Sequence, residues 1–191
     1  SVAHSSALRH AAREFDRLCT TVANAYIQPL MSTYLARFAE AFAAKGLRCP
    51  VLMMTSGGGM TTLETAVRFP IRLVESGPSG GAILAAAIAR SCGLDEVVSF
   101  DMGGTTAKIC LIDHGEPLLW RQFEVDRAHR FMKGSGVPVK IPVVEMVEIG
   151  AGGGSIAHVD KFGRIQVGPQ SAGSDPGPAC YGNGGERAAI T

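Results

Sequence analysis

The chain has 191 residues, 46% of them hydrophobic and 18% charged, with 24 glycines and a formal net charge of +1 from 18 Lys plus Arg against 17 Asp plus Glu. Those values describe one globular domain or a large piece of one and exclude a disordered tail; no apolar run approaches the ~18 residues that a membrane span needs. The charge balance gives no pull toward nucleic acid or an anionic membrane, so partners must be read from local sites. Eight glycines lie at or before Gly93 and sixteen from Gly103 to Gly185. The strong apolar periodicity between the clusters rules out low complexity, leaving special turns and close backbone approach to a ligand.

In chain order, Leu8, Ala12, Phe15, Leu18, Cys19, Val22, Tyr26, Leu30, Tyr34, Leu35, Phe38 and Phe42 recur at three- and four-residue steps, which predicts an amphipathic helix over 6–45 with its aromatics in the core. Pro29 should kink or split it and Gly46 should stop it. An α/β core over 50–191 follows. Val51 to Thr55 reads as a buried strand ending in Ser56-Gly57-Gly58-Gly59, Phe69 to Glu75 as a second strand, and Ala82 to Cys92 as an alanine-rich helix headed by Ser76-Gly77-Pro78-Ser79-Gly80-Gly81. Glycines at a helix head let backbone N–H groups face an anion; tight packing of a small-residue helix on a sheet explains them equally. Val97–Phe100 and Ala107–Ile112 form a strand pair around a glycine turn, and Pro117–Val125 can add a third strand. A basic stretch follows over 126–136, then an apolar segment, Val137–Ile149, the cluster Gly150-Ala151-Gly152-Gly153-Gly154-Ser155, a small hairpin over 156–167, and a Pro- and Gly-rich irregular loop over 168–185.

The five cysteines show no CxxC spacing and sit mostly in apolar runs, as reduced core thiols do. With no basic-then-apolar N-terminal signal, a cytoplasmic location is the default. The start at Ser1, a helical pattern under way by Ala7 and the lack of a terminating signal after Arg187 suggest a piece of a longer polypeptide.

The sharpest local signal is Phe100-Asp101-Met102-Gly103-Gly104-Thr105-Thr106-Ala107-Lys108. Asp101 at a strand end can hold Mg²⁺ directly or through water. Gly103 and Gly104 let amides approach phosphate oxygens closely, and Thr105 and Thr106 add hydroxyl donors. Lys108 is a cation whose direction the alternation of strand faces leaves open. The pattern is not a P-loop, which needs GxxxxGK[ST] running into a helix. A tight structural hairpin is the competing reading.

This phosphate hairpin resembles that of the actin, sugar kinase, acetate kinase and heat-shock ATPase superfamily, and implies its ribonuclease H-like α/β fold, a mixed sheet with flanking helices. The wider pattern resembles one family within it, the hydantoinase A and 5-oxoprolinase family, which includes ATP-dependent N-methylhydantoinases and subunits of acetone and acetophenone carboxylases. The matching residues are Asn24-Ala25-Tyr26 with Pro29-Leu30, Ser56 to Met60, Ser76 to Gly81, Phe100 to Thr105, Glu148 to Ala157, Val167-Gly168-Pro169, Ser171 to Gly173 and Asp175 to Gly182. On that resemblance residues 1–191 are a partial hydantoinase A-type domain. It implies ATP and Mg²⁺ as cofactors and activation of a cyclic amide, hydantoin or 5-oxoproline type, by phosphorylation for ring opening. A hydantoinase B-type partner subunit goes with it. The roles implied are Asp101 for Mg²⁺ and catalysis, Gly103, Gly104, Thr105 and Thr106 for phosphates, Gly152, Gly153, Gly154 and Ser155 for a second nucleotide- or substrate-facing loop, and Gly58 and Gly59, with Ser76 to Gly81, lining the same cleft.

Two departures stand out. Many family members carry an acidic residue where this chain has Lys108, so a second metal-binding carboxylate is in question; and another glycine and threonine phosphate motif of the family falls before the region where this chain starts. The alternatives are a fragment of an ATP-dependent ketone carboxylase subunit, or a nucleotide-binding module without catalysis. Glu75, Glu145 and Glu148 are further general-base candidates. His158 and the basic run Arg127, His129, Arg130 and Lys133 read as solvated surface.

Overall fold

The computed structural model describes residues 14–125, 128, 129, 132 and 134–191. The expected helix start, 6–13, and Arg127, Arg130 and Lys133 lie outside them. In chain order the elements are helix α1 (Glu14–Ala44), strands β1 (Leu52–Met54) and β2 (Met60–Thr62), helix α2 (Leu63–Arg68), a 3₁₀ turn (Pro70–Leu73), helix α3 (Ser76–Ser91) and strands β3 (Val97–Met102) and β4 (Ala107–Asp113). Then come β5 (Glu116–Pro117), β6 (Leu119–Trp120), β7 (Phe123–Val125), β8 (Val137–Val139), β9 (Val143–Val144), β10 (Val147–Ile149), β11 (Ser155–Val159), β12 (Ile165–Ser171) and a 3₁₀ turn at Ala179–Tyr181. The class is the helix-and-sheet one expected, and the pairs β1–β2, β3–β4, β4–β10, β6–β9, β7–β8 and β11–β12 are antiparallel. Two compact units are present, one holding the chain up to Leu84 with Pro117–Glu145, the other Ala85–Glu116 with Met146–Thr191.

In the first unit α1 passes through Pro29 unbroken, contrary to the expected split. Ser32 and Thr33 hydroxyls donate back to the carbonyls of Gln28 and Pro29, at 2.7 and 3.1 Å, along the turn that follows the proline. Its faces are also the reverse of the expectation. Tyr26 and Leu30 are 85% and 74% exposed, Phe15, Leu18, Val22 and Tyr34 are exposed as well, and the buried residues are Thr20, Thr21, Asn24 and Leu35. The reason is what the helix packs on. Asn24 donates from Nδ2 to the Arg68 carbonyl at 3.2 Å and accepts the Ile71 N–H at 3.2 Å, while Thr20 Oγ1 accepts the Lys140 N–H at 2.9 Å. These backbone groups lie at a helix end, in a 3₁₀ turn and past a strand end, and covering them requires a helix face that can bond them.

The second strand expected over 69–75 is instead the 3₁₀ turn Pro70–Leu73, which follows directly on α2. Thr62 caps α2, its hydroxyl accepting the Thr65 N–H at 3.3 Å. Pro70 lacks the N–H that a ladder needs but suits the first position of a helical turn, and the next amide is taken by Asn24. Helix α3 begins six residues before the expected Ala82. The Ser79 N–H already bonds the Glu75 carbonyl at 3.1 Å, so the glycine segment is the helix's opening turns, where Pro78 costs nothing. The core of this unit is Ile71, Val139, Ile141 and Val143, with Ile27, Phe69, Val74 and Phe123 packed on it.

In the second unit the sheet order is β10-β4-β3, with β5 also on β4. The third strand expected over 117–125 is broken into β5, β6 and β7, and the apolar segment Val137–Ile149 into β8, β9 and β10, with β6 to β9 belonging to the first unit. The register pairs Val98 with Leu111, Phe100 with Ile109 and Ile109 with Val147, so these side chains share one face with Met102 and Ile149. Val98, Phe100, Met102, Leu111, Val147 and Ile149 are all exposed. The hairpin of β11 and β12 forms as read, but β12 continues through Gly168 to Ser171 into the expected irregular loop.

None of the five cysteines is in a disulfide, and only Cys110 is buried; Cys49, Cys92 and Cys180 are exposed, Cys92 directly after α3, which corrects their reading as core thiols. None of the helices among the described residues is long and apolar enough to cross a membrane.

Asn24→Ala leaves the buried Ile71 N–H without its partner and the Arg68 carbonyl with only the Gln28 side-chain amide, at 3.3 Å, and should cost about 1–3 kcal/mol, read by urea unfolding of the protein that carries this chain. At the tip of the β11–β12 hairpin, the Arg164 N–H holds the Asp160 carboxyl below its ordinary value of 3.8, against the desolvation that raises it and with help from the Phe162 N–H and the Arg164 and Gln166 side chains. A lowered folded value means that the carboxylate's contribution is complete above the ordinary range and is lost only as pH falls through the folded value. The Phe162 and Arg164 amide resonances should therefore shift with a midpoint below the ordinary aspartate value of 3.8, and a midpoint at or above it overturns the assignment.

Candidate functional site

The Asp101–Lys108 segment is the β3–β4 turn. Asp101 pairs with Lys108 and Met102 with Ala107, and the Gly103 N–H donates to the Thr106 carbonyl at 2.9 Å, so Gly104 and Thr105 form the tip. Asp101, Gly103, Gly104 and Thr105 are exposed, and Thr106 is half-buried. Among the described residues the N–H groups of Gly104, Thr105 and Thr106 make no hydrogen bond. Neither Gly103 nor Gly104 has a φ in the left-handed region. A Cβ on Gly104 would meet nothing within 4 Å, and one on Gly103 only the Thr106 carbonyl at 3.7 Å. The fold's own packing therefore gives no steric reason for glycine at 104.

Directly opposed residues in an antiparallel pair share a face, so Lys108 lies on the Asp101 face, answering the question that strand alternation left open. Register also pairs Glu148 of β10 with Lys108. A carboxylate, an ammonium and a carboxylate thus run in one row across three strands. The sequence named Glu148 only as a general-base candidate; its place beside Lys108 comes from strand register, for which spacing carries no signal.

The Gly152–Ser155 segment lies against the back of this turn. The Gly153 N–H donates to the Gly103 carbonyl at 2.9 Å and the Gly154 N–H to the Gly104 carbonyl at 2.8 Å. The Gly152 N–H goes to Ser155 Oγ at 2.9 Å, and the Ser155 N–H to the Gly152 carbonyl at 2.9 Å. All four amides expected to face a ligand are bonded within the protein, and all four residues are buried. A Cβ on Gly152 would stand 2.6 Å from the Gly103 carbonyl oxygen and from the Thr105 N and C. Here glycine is required by contact.

Ser56–Gly59 and Ser76–Gly81 come together in the first unit through Ser79, whose hydroxyl lies 2.8 Å from both the Ser56 and the Glu75 carbonyls. Ser56 itself donates to the Arg72 carbonyl at 2.7 Å, and its own carbonyl takes the Val144 N–H at 2.8 Å. Gly58 has φ +81 and an added Cβ there would be 2.7 Å from Ile83 Cδ1, so its glycine follows from packing; Gly59 closes the β1–β2 turn by accepting the Thr55 N–H at 2.8 Å. Glu75, just before α3, holds φ 60, an uncommon conformation for a residue with a side chain. Glu145 is half-buried and His158 and His129 are exposed, the histidines as expected.

Solved structures place this architecture. Nucleotide-free acetone carboxylase matches with a TM-score of 0.72 at 27% identity, over 97% of this chain and 25% of its own. ATP-dependent caprolactamase from Pseudomonas jessenii matches with a TM-score of 0.71 at 32% identity, over 99% and 26%. The fold class is the α/β one of actin-like ATPases. Within it, the sequence profile of the Hydantoinase/oxoprolinase family matches residues 17–191, and the chain belongs to that family. An uncharacterized protein of Methanocaldococcus jannaschii is 43% identical over 94% of this chain and 27% of its own length, and caprolactamase subunit alpha of Pseudomonas jessenii is 36% identical over 94% and 24%. The chain thus spans about a quarter of the length of these relatives.

Gly58→Ala forces a side chain into a left-handed conformation against Ile83, and should lower stability by about 1–3 kcal/mol in thermal or urea unfolding.

Proposed function

We propose that this chain supplies the phosphate-gripping turn of an ATP-dependent enzyme that activates a cyclic amide of the hydantoin or 5-oxoproline type for ring opening. The observation that carries the reading is the Gly104–Thr105 tip, where unbonded amides stand at an exposed turn and a glycine has no packing reason of its own. A phosphate oxygen drawn up to those amides is a reason, because a Cβ would hold it off. Thr105 and Thr106 add hydroxyl donors, and Lys108 brings positive charge to the Asp101 face.

Asp101 is the residue for Mg²⁺. Among the described residues no three His, Cys, Asp or Glu side chains gather into a metal cage. One exposed carboxylate fits Mg²⁺ all the same, since that ion keeps several waters and takes its other ligands from phosphates. ATP supplies the phosphoryl group that turns a poorly electrophilic amide carbonyl into one that water can attack. The residues of this chain bind and orient the transferred group and balance its charge.

Residues 1–191 are then one part of a hydantoinase A-type domain that works in the cytoplasm with a partner subunit of hydantoinase B type; the name caprolactamase subunit alpha supports the existence of a partner subunit. The likeness to acetone carboxylase favours a second reading, in which the same phosphorylation logic activates a ketone.

The test uses the full-length protein, with ADP release measured against hydantoin, 5-oxoproline and acetophenone, with and without bicarbonate. Turnover that depends on a cyclic amide and ignores bicarbonate is expected; strict bicarbonate dependence moves the assignment to the ketone. Gly104→Ala should leave the melting temperature unchanged and weaken ATP binding by about tenfold, the worth of one charge-assisted hydrogen bond. Asp101→Ala should abolish Mg²⁺-dependent turnover, and normal activity in that variant overturns the metal role.

A further inference from the structure

We infer that Gly152–Ser155 is a brace that positions the phosphate turn from behind, and that its amides are not ligands of the nucleotide or substrate. The inference rests on the phosphate reading of the 103–106 turn and adds a positioning element to it. Four observations carry it. The Gly153 and Gly154 N–H groups are donated to the carbonyls of Gly103 and Gly104, the two residues that enter the tip. The Gly152 and Ser155 N–H groups close the brace on itself, one through Ser155 Oγ. The segment is buried, and the missing Cβ of Gly152 is what allows it to lie 2.6 Å, measured from the ideal Cβ site, from the Thr105 backbone nitrogen. On its other side the brace is held in turn, because the Ala172 N–H donates to the Gly154 carbonyl at 2.7 Å and the Thr191 N–H to the Gly153 carbonyl at 2.9 Å.

A two-residue turn with three unbonded amides has little to fix its carbonyl planes. Bonding the carbonyls of Gly103 and Gly104 fixes them, and because each peptide unit is planar, fixing a carbonyl fixes the N–H of the following residue. The Gly103 carbonyl shares its plane with the Gly104 N–H, and the Gly104 carbonyl with the Thr105 N–H. Two of the three free donors of the tip are therefore aimed by the two bonds from the brace. This is preorganisation of donors toward charge, built from glycines that never touch that charge.

Hydrogen exchange on the full-length protein, read by mass spectrometry with and without ATP and Mg²⁺, separates a brace from a ligand loop. The amides of 152–155 should be protected without nucleotide and unchanged when it is added, while those of 104–106 should gain protection. Amides of 152–155 that are open without nucleotide and closed by ATP overturn the brace. A 104–106 segment that gains no protection overturns the phosphate reading beneath it and leaves the bonding of 152–155 standing. In parallel, Ser155→Ala removes the acceptor of the Gly152 N–H without adding an atom, and Gly152→Ala pushes a methyl group into the turn. Each folded variant should bind ATP and inorganic tripolyphosphate about tenfold more weakly, with the KM for the second substrate unmoved. Loss of folded protein with unchanged affinity in the remainder would mark a purely structural role and overturn the inference.

Discussion

The second unit is organised around two hydrogen bonds, from the amides of Gly153 and Gly154 to the carbonyls of Gly103 and Gly104. They join segments about fifty residues apart and permit the glycine-only spacing at 152. They also set what else must be present. Ala172 and Thr191 hold the far side of the same segment, and the β11 strand begins at Ser155, so one buried stretch ties the β3–β4 hairpin to the β11–β12 hairpin and to the last residues of the chain. Pull on any of the three and the same two carbonyls feel it. A turn exposed to solvent gains its definition from a neighbour that is not.

The first unit solves a different problem with a different material. Its short strands and 3₁₀ turn leave backbone groups without ladder partners, and α1 meets them with Thr20 and Asn24 where a typical amphipathic helix would offer leucine. Bonding of this kind gives less free energy per contact than apolar burial, but it is directional. Arg68 and Arg72 both lie over the Phe69 ring, at 5.0 and 4.9 Å from its centroid, which adds a second geometric restraint on the same corner.

How much of this was legible in the sequence depends on how far apart the deciding residues are. The 100–108 hairpin could be read because strand, acid, glycines, hydroxyls and returning strand are contiguous. So could the hairpin at 160–164, where Asp160 caps its own turn. The stretch at 69–75 misled because its apolar composition suits a strand, while its conformation is decided by Pro70 and by Asn24, 47 residues away from Ile71. The faces of α1 misled for a related reason. Apolar side chains occur all around that helix, so periodicity could not say which line is inward, and the inward one is marked by polar groups that a hydrophobic pattern discounts. The contact of Gly152–Gly154 with the β3–β4 turn was hidden most completely, since a glycine that lets a ligand approach and a glycine that lets the chain approach itself are the same letter.

The apolar face of the β10-β4-β3 sheet bears on how this polypeptide behaves in the hand. Six large apolar side chains from three strands are exposed on one face, a clustering of the kind that favours association. A preparation of residues 1–191 alone therefore carries an adhesive plane close to the turn it would be used to study. Its oligomers, its retention on a column and its response to detergent would report that plane first, and any nucleotide titration on it needs a state of aggregation held constant.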